Sequence, residues 1–189
     1  MEADWEWEVG EGAPVIVADW PGLIDLRRAP ERAHELLEAA ALPALADALQ
    51  ALNAAASPVW TSKCDFWPSL GPGNFDPDEL DAPPGHALHA LGCYIDLLAR
   101  DRSKWTLAPQ VEAASRTWCA SWKEVPLRGC RVDLVMRRAL LSPQVVHFGI
   151  TAYLTACGQN PNEARDSLGH ALRAFALTIT RHAGGRLSS

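Results

Sequence analysis

Apolar positions along this chain recur with two different periods, and the alternation between them outlines the elements. From residue 31 to 56 the spacing is helical, with Leu36, Leu37, Ala40, Leu45, Leu49 and Leu52 on one broad stripe. Pro43 interrupts that stripe. It has no N–H to donate and clashes with the preceding turn, so two helices are expected, the second opening at Pro43. Residues 109–125 repeat the helical spacing through Val111, Ser115, Trp118, Trp122 and Val125. A last helix is expected from Asn160-Pro161, a good cap and first position. It carries Ala164, Leu168, Ala171, Leu172, Phe175 and Ile179 on one face and stops before Gly184-Gly185. Between these helices lie runs with period two or rich in β-branched residues: 59–67, 92–99 within 86–100, 129–138 and 145–156. Residues 13–20 suggest a further short strand before the turn at Pro21-Gly22.

The order is then (β)-α-α-β-β-α-β-β-α. Paired strands between helices predict an α+β fold: a four- to five-stranded, mainly antiparallel sheet with helices packed on one face. The segment 68–85 holds five prolines together with Asp76, Asp78, Glu79 and Asp81. It reads as a long exposed loop, a kind of segment that often carries function.

Period-two geometry separates the two faces of each strand. Trp60, Cys64 and Phe66 form the apolar set of the first long strand, leaving Lys63, Asp65 and Trp67 opposite. On the next, Cys93, Ile95 and Leu97 leave Tyr94 and Asp96. On the third, Cys130, Val132, Leu134 and Met136 leave Arg131, Asp133 and Arg137. On the fourth, Val146, Phe148, Ile150 and Leu154 leave His147, Thr151 and Tyr153. Lys63, Asp65, Trp67, Tyr94, Asp96, Arg131, Asp133, Arg137, His147 and Tyr153 are therefore the candidate functional face. Tyr, Trp and Arg supply much of the energy at protein interfaces, and a sheet presents them rigidly. The plain alternative is a solvated lattice of cross-strand ion pairs.

Two of these strands echo each other. Cys93-Tyr-Ile-Asp96-Leu-Leu-Ala-Arg100 aligns with Cys130-Arg-Val-Asp133-Leu-Val-Met-Arg137, and a Pro-Gln-Val follows each, at Pro109 and Pro143. Chance within similar strand environments and an old duplication of a strand unit are both open.

Composition changes the picture in three respects. The 189 residues are 48% hydrophobic and 21% charged, as in an ordinary soluble domain, and no apolar run reaches the ~18 residues needed to cross a membrane. The net charge of −6 is uneven: residues 1–12 contain Glu2, Asp4, Glu6, Glu8 and Glu11 and no base. Removing those five from 23 acids leaves 18 against 17 bases. The expected organisation is an acidic arm over 1–12, a single domain over 13–183 and a tail over 184–189. If the arm is ordered, Trp5, Trp7 and its acids need a basic, apolar groove to lie in. Finally, the five cysteines, Cys64, Cys93, Cys119, Cys130 and Cys157, are odd in number and include no CxxC. With an acidic N-terminus unlike a signal peptide, they predict free thiols in a bacterial cytoplasm. Of the 17 bases only Lys63, Lys104 and Lys123 are lysines, which reads as a GC-rich genome. No stretch has the basic density expected for nucleic-acid binding.

Tests for enzymatic chemistry give little. GxSxG, Walker, HExxH and dinucleotide glycine patterns are absent from the sequence. The segment 94–101 looks like the strand that carries the metal aspartate in restriction-endonuclease-like folds. Its second acid would be Glu112, which lacks the following lysine and sits in a predicted helix. His86 and His89, three apart, lack a third ligand. Cys157 has no base placed by sequence. Among the tryptophans, Trp60, Trp118 and Trp122 are expected in the core, and Trp5, Trp7, Trp67 and Trp105 in contact with a partner or the arm.

The leading expectation is a non-enzymatic protein-binding module: an adaptor, a secretion-chaperone-like protein or an immunity-type inhibitor. Its partner would be another protein or a second copy of itself, with no cofactor and no membrane. The competing expectation is a metal-dependent hydrolase or nuclease using Asp65, Asp96 and Asp133.

Overall fold

The computed structural model describes residues 1–18, 20–71, 74–142 and 145–181. The glycine stop at 184–185, the tail, and Pro143-Gln144 of the second Pro-Gln-Val lie outside the described residues. The chain is a mixed α/β protein with a six-stranded open sheet. Its strands are β1 (Glu2–Trp7), β2 (Ile16–Val17), β3 (Val59–Trp67), β4 (His89–Ala99), β5 (Cys130–Ser142) and β6 (Val145–Gly158). The helices are a 3₁₀ turn (Pro30–Glu35), α1 (Leu37–Ala41), α2 (Pro43–Asn53), α3 (Ala108–Lys123) and α4 (Pro161–Arg181). Pro43 opens α2 as its geometry demands, and Asn160 Oδ1 caps α4 by accepting from the N–H groups of Asn162 and Glu163 at 3.1 and 3.0 Å.

The sheet order is β1-β5-β6-β4-β3, antiparallel from β5 to β3, with β1 and β2 both parallel to β5. The two echoing strands, β4 and β5, flank β6 on either side, each antiparallel to it and offset by two residues. Asp96 faces Thr151, and Asp133 faces Tyr153. Their terminal arginines diverge in use. Arg100 caps the end of α2, donating to the carbonyls of Asn53, Ala54 and Ser57, whereas Arg137 reaches Glu8.

One face of the sheet carries the main core. Cys93, Ile95 and Leu97, Val132, Leu134 and Met136, and Ile150, Ala152 and Leu154 pack against α2, α3 and α4. Trp122 and Phe175, both fully buried, stack there at 5.2 Å between ring centres.

Three features differ from the sequence reading. Residues 2–7 of the expected acidic arm are ordered as an edge strand. Glu2-Ala3-Asp4-Trp5-Glu6-Trp7 alternates strictly, so Ala3, Trp5 and Trp7 pack on the core while the acids take the other face. Next, a β-bulge in β3 sets Ser62 and Lys63 against Asp96 alone. The extra residue reverses the alternation, so Trp60 faces away from Cys64 and Phe66 and joins a small cluster of Ile16, Ala18, Leu98 and Ala139 on the second face. Trp105, too, is buried and meets Trp118 edge-on at 6.0 Å, so it belongs to the core.

Candidate functional site

The second face of the sheet is covered at both ends and open in the middle. At one end the strap formed by residues 16–18 and 20–27 crosses it. Ile16 lies on Gly149, where any Cβ would stand 2.8 Å from Ile16 Cδ1, and Ser62 Oγ donates to the Val17 carbonyl at 2.9 Å. At the other end the proline-rich loop folds back. Leu70 N–H donates to the Ala90 carbonyl, and Leu70, Phe75 and Leu80 pack on Ala90 and Cys157.

Register places the candidate residues in rows across the open middle. Asp65, Tyr94, Tyr153, Asp133 and Asp4 follow one another from β3 to β1. On the loop side runs the row Trp67, Gly92, Thr155, Arg131 and Glu2. On the strap side, Asp96, Thr151, Val135 and Glu6 form a third. Gly92 leaves room here: a Cβ would sit 3.2 Å from Trp67 Cε3, so its absence lets the indole lie close across β4. Trp67, Tyr94 and Tyr153 thereby form an aromatic triad with ring centres 5.9, 6.0 and 6.5 Å apart, and Trp67 and Tyr153 stacked within 11°. All three are half-buried.

Polar groups are tied around this triad. Thr151 Oγ1 donates to Asp96 Oδ1 at 2.6 Å. Arg137 donates to Thr151 Oγ1 at 2.9 Å, to Tyr153 Oη at 3.2 Å and twice to Glu8 Oε2. Asp96 is only 6% exposed. Burial raises its carboxyl above the ordinary range, against the pull of the Thr151 hydrogen bond, Arg137 and Lys63. Arg131 stands among Asp133 at 2.7 Å, Glu79 at 3.6 Å and Asp4 at 3.9 Å. Burial raises Asp133 as well, with Arg131 opposing. Tyr94 is pushed up to about 12 by burial, then by Asp96 and Asp65.

Eight of the ten sequence candidates belong to this open middle or its margins. Lys63 sits instead in the bulge, its Nζ 5.6 Å from the ring centre of Trp20. His147 is buried opposite Ala139, beside the strap residue Ile16, and so is withdrawn from the open surface. Thr151, expected on this face, and the acids Asp4 and Glu8 of the expected arm and Glu79 of the loop join the ten candidates through bonds to Asp96, Arg131 and Arg137. The signal for the residues before Glu8 was present in the alternation of residues 2–7. The composition of the 68–85 loop pointed to Glu79, but not to Arg131 as its partner.

The three aspartates do not converge. Asp65 and Asp133 share a row but stand three strands apart, about 14 Å, with two tyrosines between them. Among the described residues no group of three or more His, Cys, Asp or Glu side chains could hold a metal ion. Glu112 lies on α3, across the sheet from Asp96, and pairs with Arg116 at 2.7 Å. His86 bonds Glu163 at 2.8 Å from a loop, while His89 begins β4. All five cysteines are free. Burial pushes Cys64 and Cys119 up to about 12 and Cys130 up to about 11, and raises Cys93 and Cys157 too, opposite to what a nucleophilic thiol needs. No described helix is long and apolar enough to cross a membrane. Comparison with protein-family models, with curated proteins and with solved structures gave no match to this chain.

Proposed function

We propose that this protein is a non-enzymatic binding module whose open sheet face receives a basic segment of a partner protein. The observation that carries the reading is the triad Trp67, Tyr94 and Tyr153, half-exposed on a rigid sheet and bordered by carboxylates. Aromatic faces attract Lys and Arg side chains, and a bordering carboxylate adds a charge-assisted partner. The charge balance of the face points the same way: Glu2, Asp4, Glu6, Glu8, Asp65, Asp96 and Asp133 stand against Arg131 and Arg137, with Lys63 at the bulge on its margin. Asp4 and Glu79 are largely exposed, so their field reaches solution and steers a cationic partner. The same balance argues against a second copy docking face to face, since like charges would then oppose one another.

The test is affinity capture from a lysate at low and high salt. Bait proteins are wild type, Trp67→Ala, Tyr153→Ala and Leu177→Ala, the last an exposed residue of α4 on the far side of the sheet. The proposal expects basic proteins on wild type and Leu177→Ala, weakened by salt and lost from the two aromatic variants. Identical captures by all four baits would sink it.

A further inference from the structure

A cleft of about 330 Å³ opens beside the bulge of β3 and reaches the aromatic triad only at Tyr94. Leu23, Ile24, Leu26, Leu36 and Leu49 give it apolar walls, and Trp20, Glu38, Lys63, Cys64 and Tyr94 contribute polar groups. Its size falls at the lower end of small-molecule sites, which run from roughly 300 to 1,000 Å³.

The polar groups are under-used. Trp20 Nε1 is buried and has no hydrogen-bond partner. An indole N–H left so loses its hydration without return. Lys63 makes no ion pair among the described residues; its Nζ lies 5.6 Å from the Trp20 ring centre, and its charge acts on Asp96 only at a distance. Glu38, in the first turn of α1, also lacks one, although both line the same cleft. Thr61 Oγ1 accepts from Asn53 Nδ2, which leaves its own proton to donate. One cation, one anion and two spare donors, Trp20 Nε1–H and the Thr61 hydroxyl, thus surround an apolar floor. The bulge makes this arrangement, because it turns Lys63 out of the strand alternation.

We infer that this cleft binds a small zwitterion with an apolar body, the chemistry of an apolar amino acid. The ligand carboxylate takes Lys63 and the spare donors, its ammonium takes Glu38, and its side chain covers Leu23, Ile24 and Leu49. Lys63 and Tyr94 border both sites, but Glu38 and Trp20 do not belong to the open face, and a test on Glu38 separates this inference from the partner-binding reading.

The test is isothermal titration of the full chain with three probes: L-leucine, 4-methylpentanoate, which lacks the amine, and 3-methylbutylamine, which lacks the carboxylate. Wild type should bind leucine, and each single-charge probe at least about tenfold more weakly, as loss of a charge-assisted contact implies. Glu38→Gln should weaken leucine while leaving 4-methylpentanoate unchanged, and Lys63→Met should weaken both. Circular dichroism melts of the variants check that the fold is retained. Absence of leucine binding, or equal affinity for leucine and 4-methylpentanoate, would overturn the inference.

Discussion

Arg137 ties the N-terminal strand to the centre of the sheet, and replacing it with methionine measures that tie. The guanidinium makes four contacts, two of them with Glu8 at 2.8 and 2.5 Å and one each with Thr151 and Tyr153. Methionine keeps most of the apolar stem. Full loss of a buried charged partner costs about 3–5 kcal/mol. Here the two ends of the network differ: the Arg137 side chain is 13% exposed, but that of Glu8 is 42% exposed and regains water when abandoned. The Glu8 share therefore falls to about 1 kcal/mol or less, and the two part-buried hydroxyl contacts contribute about 1 kcal/mol each. The sum is about 2–3 kcal/mol. For a chain of this size that lowers Tm by about 4–12 °C. Urea unfolding of Arg137→Met, Glu8→Gln, Thr151→Val and the double variants apportions the loss through coupling energies. A loss below about 0.5 kcal/mol for Arg137→Met, or no coupling to Glu8, would refute a docked N-terminal strand and return residues 1–12 to a free arm.

Other outcomes follow from the same geometry. Asp96 has a raised carboxyl, so its charged form is penalised in the folded state, and its contribution to stability falls as pH rises through the ordinary carboxylate range and above. The Tm of Asp96→Asn minus that of wild type should therefore grow more positive from pH 3 towards neutrality; a flat or falling difference contradicts the assignment. Gly149→Ala places a methyl 2.8 Å from Ile16 Cδ1 and 3.0 Å from the Leu97 carbonyl, which should cost about 1–3 kcal/mol, partly recovered in a double variant with Ile16→Ala. No recovery would mean that the strap does not lie on Gly149. Trp122→Ala empties a fully buried site stacked on Phe175 and should cost about 3–5 kcal/mol in denaturant titration. A cost below 1 kcal/mol would contradict the packing.

Periodicity revealed most of the elements because burial on one side of a helix or strand leaves a direct trace in residue order. The rows of the open face were legible for the same reason: Tyr94, Asp96, Arg131, Asp133 and Tyr153 alternate with the core set. Two kinds of information escaped. A bulge changes the phase of an alternation without changing its composition, so Trp60 lies on the opposite side from the one its alternation predicts. Long-range register is set by pairing between distant segments, so neither the parallel docking of residues 2–7 on β5 nor the position of β6 between the echoing strands could be read locally. Charge concealed the first of these. Five acids in 12 residues resemble a solvated arm, yet three alternate with Ala3, Trp5 and Trp7, which are what anchor the strand.

Site-specific photo-cross-linking tests the binding face most directly. A photo-reactive phenylalanine is placed at Thr155, which lies between Gly92 and Arg131 beside the aromatic triad, and separately at Leu177 on the helical side. Irradiation in source lysate, followed by mass spectrometry, identifies what each position touches. The account predicts a discrete cross-linked protein at position 155, joined through a lysine- or arginine-rich segment, suppressed by high salt and absent at position 177. Cross-links only at position 177, or at position 155 only through acidic segments, would contradict it.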